Sequence, residues 1–177
     1  MYEAIHRYAQ ARKEGKTPET VIFFVGRENY PERWTENPSY PWGKAQVWRE
    51  GSDVVLIGCG ILMGKALEAA EQLATSGIQA TVINHPFVNR PDVETLRPWV
   101  ERAQGRVVTI EDHQWNAGMA AQVIHALSCA GVPCRAKSIA IPGVFGRSAY
   151  VAEHLYQHFG MTTQALVQAA KDLLGKA

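Results

Sequence analysis

From Lys44 onward, apolar residues change spacing in a repeating order. "KAQVW" (44–48) predicts a short edge strand, and "GSDVVLIGCG" (51–60) is a continuous apolar run that ends in a glycine-rich turn. The next stretch places Met63, Ala66, Leu67, Ala70 and Leu73 or Ala74 on one helical face and stops at Gly77, whose residue type suits a left-handed cap. "IQATVIN" (78–84) predicts a strand, "RPDVETLRPWVERAQG" a helix, and "RVVTIED" (106–112) another strand. Ala120, Val123, Ile124 and Leu127 then recur at helical spacing, and "CRAKSIAIPG" (134–143) predicts the last strand. Two helices close the chain; the second turns Leu166, Val167, Ala170, Leu173 and Leu174 inward, with Thr162 or Thr163 as its cap. Such βα alternation predicts an α/β fold, a three-layer sandwich around a mostly parallel sheet of about five strands.

The first 43 residues do not continue this order. "YEAIHRYAQARKEGK" predicts a surface helix with Ile5, Tyr8 and Ala9 on one face, ending near Gly15. "TVIFFVG" (20–26) is continuously apolar and predicts a buried strand. Arg27 to Gly43 then holds Pro31, Pro38 and Pro41 with Tyr30, Trp34, Tyr40 and Trp42, and it follows neither the helix nor the strand period. Long unpatterned loops inside small domains are functional or connect domains. A boundary is therefore expected here: residues 1–43 as a tail plus connector, and 44–177 as the α/β domain.

Composition narrows the class. A chain of 177 residues with 46% apolar content can bury one substantial core, and a formal net charge of +1 favours neither nucleic acid nor an anionic membrane as partner. Cys59, Cys129 and Cys134 lack paired metal-ligand spacing and suit reduced thiols. With no long apolar run and no signal-like segment, the expected location is the cytoplasm.

Three features carry candidate chemistry. "GCGILMGKA" is G-x-G-x-x-x-G; it departs from the dinucleotide fingerprint and lacks the P-loop Lys-Ser/Thr pair, and the following strand ends in Asn84–His85 instead of a ribose-binding carboxylate. Close packing of a strand-to-helix turn is the favoured reading. His154 and His158 are four apart but have no Glu or Cys ligand at metal spacing, and His6, His85 and His125 stand singly. Glu111, Asp112 and His113 differ, because they stand at the carboxyl edge of a parallel strand, where open α/β sheets bind ligands. Glu111 can be read as an ion-pair partner of His113, Asp112 as the cap of a helix beginning near Asn116, or the three together as an acid/base centre.

The order of motifs resembles the carboxyl-terminal domain of transketolase, preceded by the tail of its pyrimidine-binding domain. "FFVGRENYP", "GKAQVW", "VVLIGCGILMGKALEAAEQL", "VINHPFVNRPD", "RVVTIEDHQWNAGMAAQV" and "YQHFGMTTQALVQAAKDLL" carry the resemblance from Thr20 to about Leu174. Ala117 replaces the first of two family glycines and Gly118 keeps the second. Arg27 falls on a family arginine that helps hold the sugar phosphate, although Gly26 replaces the family serine before it. The resemblance implies that Glu111, Asp112 and His113 cap a helix or dress an interface and break no bond.

The same resemblance implies thiamine diphosphate and Mg2+ for the complete enzyme. This chain lacks both the Gly-Asp-Gly motif that holds them and the glutamate that activates the thiazolium. No cofactor is expected on the chain alone. The implied function is a carboxyl-terminal portion or small subunit of an enzyme that transfers a two-carbon ketol unit between sugar phosphates, inactive by itself, with missing thiamine-binding domains or a separate subunit as partner and a homo-oligomeric assembly. Two alternatives remain: a piece of a 2-oxo acid dehydrogenase beta subunit or a deoxyxylulose phosphate synthase, and a noncatalytic binding or regulatory module. Asp-His in place of Glu-Glu favours transketolase.

Overall fold

The computed structural model describes residues 1–26 and 40–176. In chain order the elements are α1 (Tyr2–Lys13), β1 (Gln46–Arg49), β2 (Val54–Gly58), α2 (Met63–Thr75), β3 (Ala80–Asn84), α3 (Val93–Arg102), β4 (Arg106–Gln114), α4 (Met119–Cys129), β5 (Arg135–Ile141), α5 (Ala152–His158) and α6 (Thr163–Leu174). The five strands form one sheet in the order β1-β3-β2-β4-β5, in which β1 is antiparallel to β3 and the other pairs are parallel. This is the mostly parallel sheet that the βα alternation requires.

Strand alternation divides the core into two layers. Val54, Leu56, Ala80, Val82, Val108 and Ile110 face α2 and α6, whereas Val55, Ile57, Ile83 and Val107 face α3 and α4. The central strands β2 and β3 are buried throughout, so each shows a run of apolar residues and no polar alternation. Local signals fix the helix ends. Gly77, at φ 73°, follows α2, and the Gly77 amide donates to Ala74 O while the Ile78 amide donates to Leu73 O, closing a Schellman cap. The Thr162 hydroxyl accepts from the Ala165 amide at 3.1 Å and starts α6. Among the described residues no helix is long and apolar enough to cross a membrane.

The amino-terminal segment departs from expectation. Residues 20–26 form no strand, and Ile22, Phe24 and Val25 are 71%, 86% and 66% exposed. An apolar run becomes a buried strand only where a neighbouring strand supplies a ladder and helices cover its faces, and no described residue does so here. On α1 the buried residue is Ala4, while Ile5 and Tyr8 are exposed. The Arg7 guanidinium lies 5.2 Å from the Trp42 ring centroid, and Trp42 meets Phe87 edge-to-face at 5.0 Å. Pro31, Pro38, Trp34 and Arg27 of the connector lie outside the described residues.

His85 is a buried group at the end of β3. Its Nε2 accepts from the Asp92 amide at 3.1 Å, and Nδ1 is buried without a hydrogen-bond partner. Burial lowers its pKa from the ordinary histidine value. Asp92 in turn accepts from the Ala45 amide at 2.9 Å and from the Thr95 amide at 3.4 Å, joining the entry of β1 to the start of α3. Burial acts to raise the Asp92 carboxyl, but the hydrogen bonds from Thr95 and Ala45, with Lys44 nearby, outweigh it and hold the group below its usual value.

The unfolded chain therefore binds a proton at His85 more readily than the folded one. Stability is complete above the unfolded pKa of about 6.5 and falls as the pH drops through it toward the depressed folded value, by up to ~1.4 kcal/mol per pH unit. The other five histidines are exposed. Urea midpoints should fall between pH 7 and pH 5.5, and His85→Gln, which keeps an acceptor for the Asp92 amide, should flatten that dependence. A wild-type midpoint unchanged across the window would remove His85 from this role.

Candidate functional site

β4 runs past β2, its pairing with β5 shifts register between Ile110 and Gln114, and in that stretch Glu111 and Asp112 turn to opposite faces. Val107 lies in the α3/α4 layer, and Glu111, two strand periods on, faces the same side; Ile110 lies in the α2/α6 layer, and Asp112 follows it there. The Glu111 carboxylate is 2% exposed and accepts from the Met119 amide at 2.6 Å and the Ala120 amide at 2.9 Å. It thereby satisfies two free donors at the start of α4 and places negative charge at the positive end of the helix. Removing such a charge-assisted contact costs about 1.5–3 kcal/mol.

Asp112 has a different partner. Tyr156 Oη of α5 donates to Asp112 Oδ2 at 3.0 Å, so the cap of α4 comes from Glu111 and Asp112 holds α5. The helix starts at Met119, not near Asn116, because the strand itself continues through Gln114. His113 is exposed, its Nδ1 lies 3.1 Å from Gln114 O, and no ion pair joins it to Glu111 among the described residues. Gln114 ties down the loop after β5: its Nε2 donates to Val144 O at 2.8 Å, and its Oε1 accepts from the Gly143 amide at 3.1 Å. Three of four successive residues at this strand end are thus anchored to three different segments. Sequence reasoning misses Tyr156 and Gln114: the register of β4 against β5 shifts between Ile110 and Gln114, and only the fold brings Tyr156 to Asp112.

Two neighbouring positions make this geometry possible. A Cβ on Gly118 would meet Glu111 Oε2 at 2.4 Å and Gln114 O at 2.6 Å, so any side chain there displaces the capping carboxylate. Ala117 has φ 62°, a left-handed conformation that L-residues other than Asn and Asp seldom adopt. Its replacement of a family glycine is thus strained, while Gly118 keeps the close approach intact.

The remaining groups at this edge do not assemble a reacting centre. Burial, followed by the charges of Glu111 and Asp112, pushes the Cys59 thiol up to about 12, which keeps it protonated and unsuited to attack. A Cβ on Gly58 would meet Ile110 Cγ2 and Met63 Sδ at 3.0 Å, so close packing accounts for that glycine, whereas Gly60, at φ 63°, borders open space and serves the left-handed turn. Among the described residues, no group of three or more His, Cys, Asp or Glu is placed to hold a metal ion. Arg27 lies outside the described residues.

Residues 43–166 match the family model for the transketolase C-terminal domain. The chain belongs to the transketolase C-terminal domain family. An apulose-4-phosphate transketolase subunit of Phocaeicola vulgatus is 32% identical to it over 164 residues, covering 90% of this chain and 50% of that relative. The 1-deoxy-D-xylulose-5-phosphate synthase of Heliobacterium modesticaldum is 33% identical over 138 residues, 78% of this chain and 21% of the synthase. A solved split-gene transketolase, an inactive β4 tetramer, superposes with a TM-score of 0.77 at 31% identity, over 85% of this chain and 48% of the other. The chain spans between about a fifth and a half of these relatives. Within the transketolase C-terminal domain, the mostly parallel sheet and its flanking helices are the shared architecture, and the Glu111 clamp stands at its carboxyl edge.

Strain at Ala117 and close contact at Gly118 have opposite consequences. Ala117→Gly should stabilise the chain by about 1 kcal/mol, the relief of a left-handed L-residue less the added freedom of the unfolded chain. Gly118→Ala should destabilise it by about 1–3 kcal/mol through overpacking. Thermal unfolding of the two variants checks this; equal shifts in the same direction would contradict the local geometry.

Proposed function

We propose that this chain is the carboxyl-terminal portion or small subunit of a transketolase-type enzyme and contributes structure and substrate contacts, while chemistry requires a companion polypeptide. The observation that carries this reading is coverage: the likeness to the apulose-4-phosphate transketolase subunit takes in 90% of this chain, extending well beyond the 43–166 family match, while accounting for 50% of that relative. The exposed apolar run 20–26 supports it, because such a segment calls for a sheet that the described residues do not supply. Phe145 and Tyr150, 98% and 100% exposed, add unpartnered aromatic surface at the carboxyl edge. Residues 1–43 are read as the tail of a pyrimidine-binding domain and its connector, and 44–177 as the transketolase C-terminal-like domain.

In this reading thiamine diphosphate and Mg2+ are bound by the companion, and a two-carbon ketol unit passes between sugar phosphates, as in the pentose phosphate interconversions. The assembly is a homo-oligomer of completed units, a dimer in its simplest form; the tetrameric state of the similar split-gene transketolase supports self-association. The three free cysteines fit the reducing cytoplasm. A deoxyxylulose phosphate synthase type is the second reading, supported by 33% identity over 138 residues to such a synthase.

Reconstitution distinguishes the readings. The chain alone should show no ketol transfer and no saturable binding of thiamine diphosphate with Mg2+. Added to a companion that carries the Gly-Asp-Gly motif and the activating glutamate, it should restore transfer from xylulose 5-phosphate to ribose 5-phosphate. Turnover by the chain alone overturns the proposal, and reconstituted activity seen only with pyruvate and glyceraldehyde 3-phosphate selects the synthase reading.

Arg27 is proposed as a sugar-phosphate contact in that completed enzyme, since a guanidinium fork matches two phosphate oxygens. Arg27→Ala should lower kcat/KM for phosphorylated sugars by roughly one to two orders of magnitude and affect unphosphorylated acceptors much less. Equal losses with both substrate types would make Arg27 a structural strut.

A further inference from the structure

One open cavity brings together an arginine and two histidines. It encloses about 380 Å³ and is lined by Arg147, Ser148 and Ala149 of the loop after β5 and by His154, Leu155 and His158 of α5. The Arg147 Nη1 atom is 3.5 Å from His158 Nδ1 and 3.4 Å from His158 Nε2. Nearly equal distances to both ring nitrogens mean that it does not donate along one lone pair, so the imidazole is a neighbour and not a counter-ion. Among the described residues, no carboxylate pairs with Arg147. The acidic residue of α5, Glu153, is occupied elsewhere, with both oxygens 2.9 Å from Lys65 Nζ.

A guanidinium beside two imidazoles and without a carboxylate leaves its donor fork free for a ligand. The ligand that fits is an oxyanion with several acceptors, because Arg147, His154, His158 and the Ser148 hydroxyl present donors from two segments. Phosphate offers acceptor oxygens in more than one direction, whereas a carboxylate presents only two in one plane. Ala149 and Leu155 supply apolar wall, and the volume suits a small organic body beyond the charged group.

We infer that the Arg147–His154–His158 cavity binds the phosphate group of a small phosphorylated metabolite. This binding requires no companion polypeptide, so its success or failure is independent of ketol transfer.

The test uses the 177-residue chain alone. Inorganic phosphate, ribose 5-phosphate, ribose and acetate are titrated separately, with calorimetry and the imidazole proton signals of His154 and His158 as readouts. Phosphate and ribose 5-phosphate should saturate and shift both signals, and ribose should not. Acetate should bind more weakly than phosphate. Arg147→Gln should weaken the phosphate-bearing ligands by about tenfold or more, whereas His125→Gln, an exposed histidine on α4 outside the cavity, should change nothing. Because Arg147 is exposed, its variant should keep the wild-type melting temperature, which is checked in parallel. No saturation by either phosphate-bearing ligand, or equal affinity in Arg147→Gln, overturns the assignment; binding of ribose as tight as ribose 5-phosphate does so as well.

Discussion

The buried carboxylate of Glu111 is the constraint on which the carboxyl edge depends. A charge so fully buried is tolerable only if hydrogen bonds replace its lost hydration, and the Met119 and Ala120 amides provide them. This requirement fixes where α4 begins, how closely its first turn approaches β4, and why no side chain fits at Gly118. It extends to Cys59, whose buried thiol is held protonated in part by the same charge. A residue type that suggests acid/base chemistry therefore acts here through its hydrogen bonds and its geometry.

The pleat of β4 distributes this polar strand end between both layers. Glu111 serves the α4 side, Asp112 the α5 side, and Gln114 the loop after β5. In open α/β sheets this edge is where ligands usually bind. Here its polar groups are spent on intramolecular contacts, while His113 stands exposed beside them. The second layer is braced in a related way: the Thr163 hydroxyl donates to Glu68 Oε2 at 3.0 Å and Lys65 holds Glu153, so polar bonds link α2 to both terminal helices around an apolar interior.

Periodicity makes the α/β order readable from the residues alone. Five-residue strands at 54–58 and 80–84 are mostly apolar because both of their faces are covered, and Gly77 and Thr162 mark helix ends by local chemistry. The choice between Glu111 and Asp112 as the cap follows from the pleat, since Glu111 shares the α4 face with Val107 and Asp112 shares the opposite face with Ile110, whereas the pairing of β4 with β5 shifts register between Ile110 and Gln114 and alternation does not place Gln114. Residues 20–26 show the limit of the same reasoning. Val, Ile and Phe report that a segment seeks a buried ladder; they do not report whether this chain supplies it. The Arg147 cavity is hidden for another reason, since its loop has no period and only the fold brings it against His154 and His158.

Exposed apolar and aromatic side chains are acceptable singly, but Phe24, Phe145 and Tyr150 are costly as a set unless something covers them. The hydrophobic layers on either side of the sheet are complete without these residues, so their apolar character is not required by the core. On the proposed reading it marks a face for the companion polypeptide. A domain whose own core is closed, whose polar strand end is consumed in clamping its helices, and which leaves large aromatic side chains exposed has the physical profile of the part proposed above, one that adds contacts to a larger assembly. The likeness to half of an apulose-4-phosphate transketolase subunit has the same form.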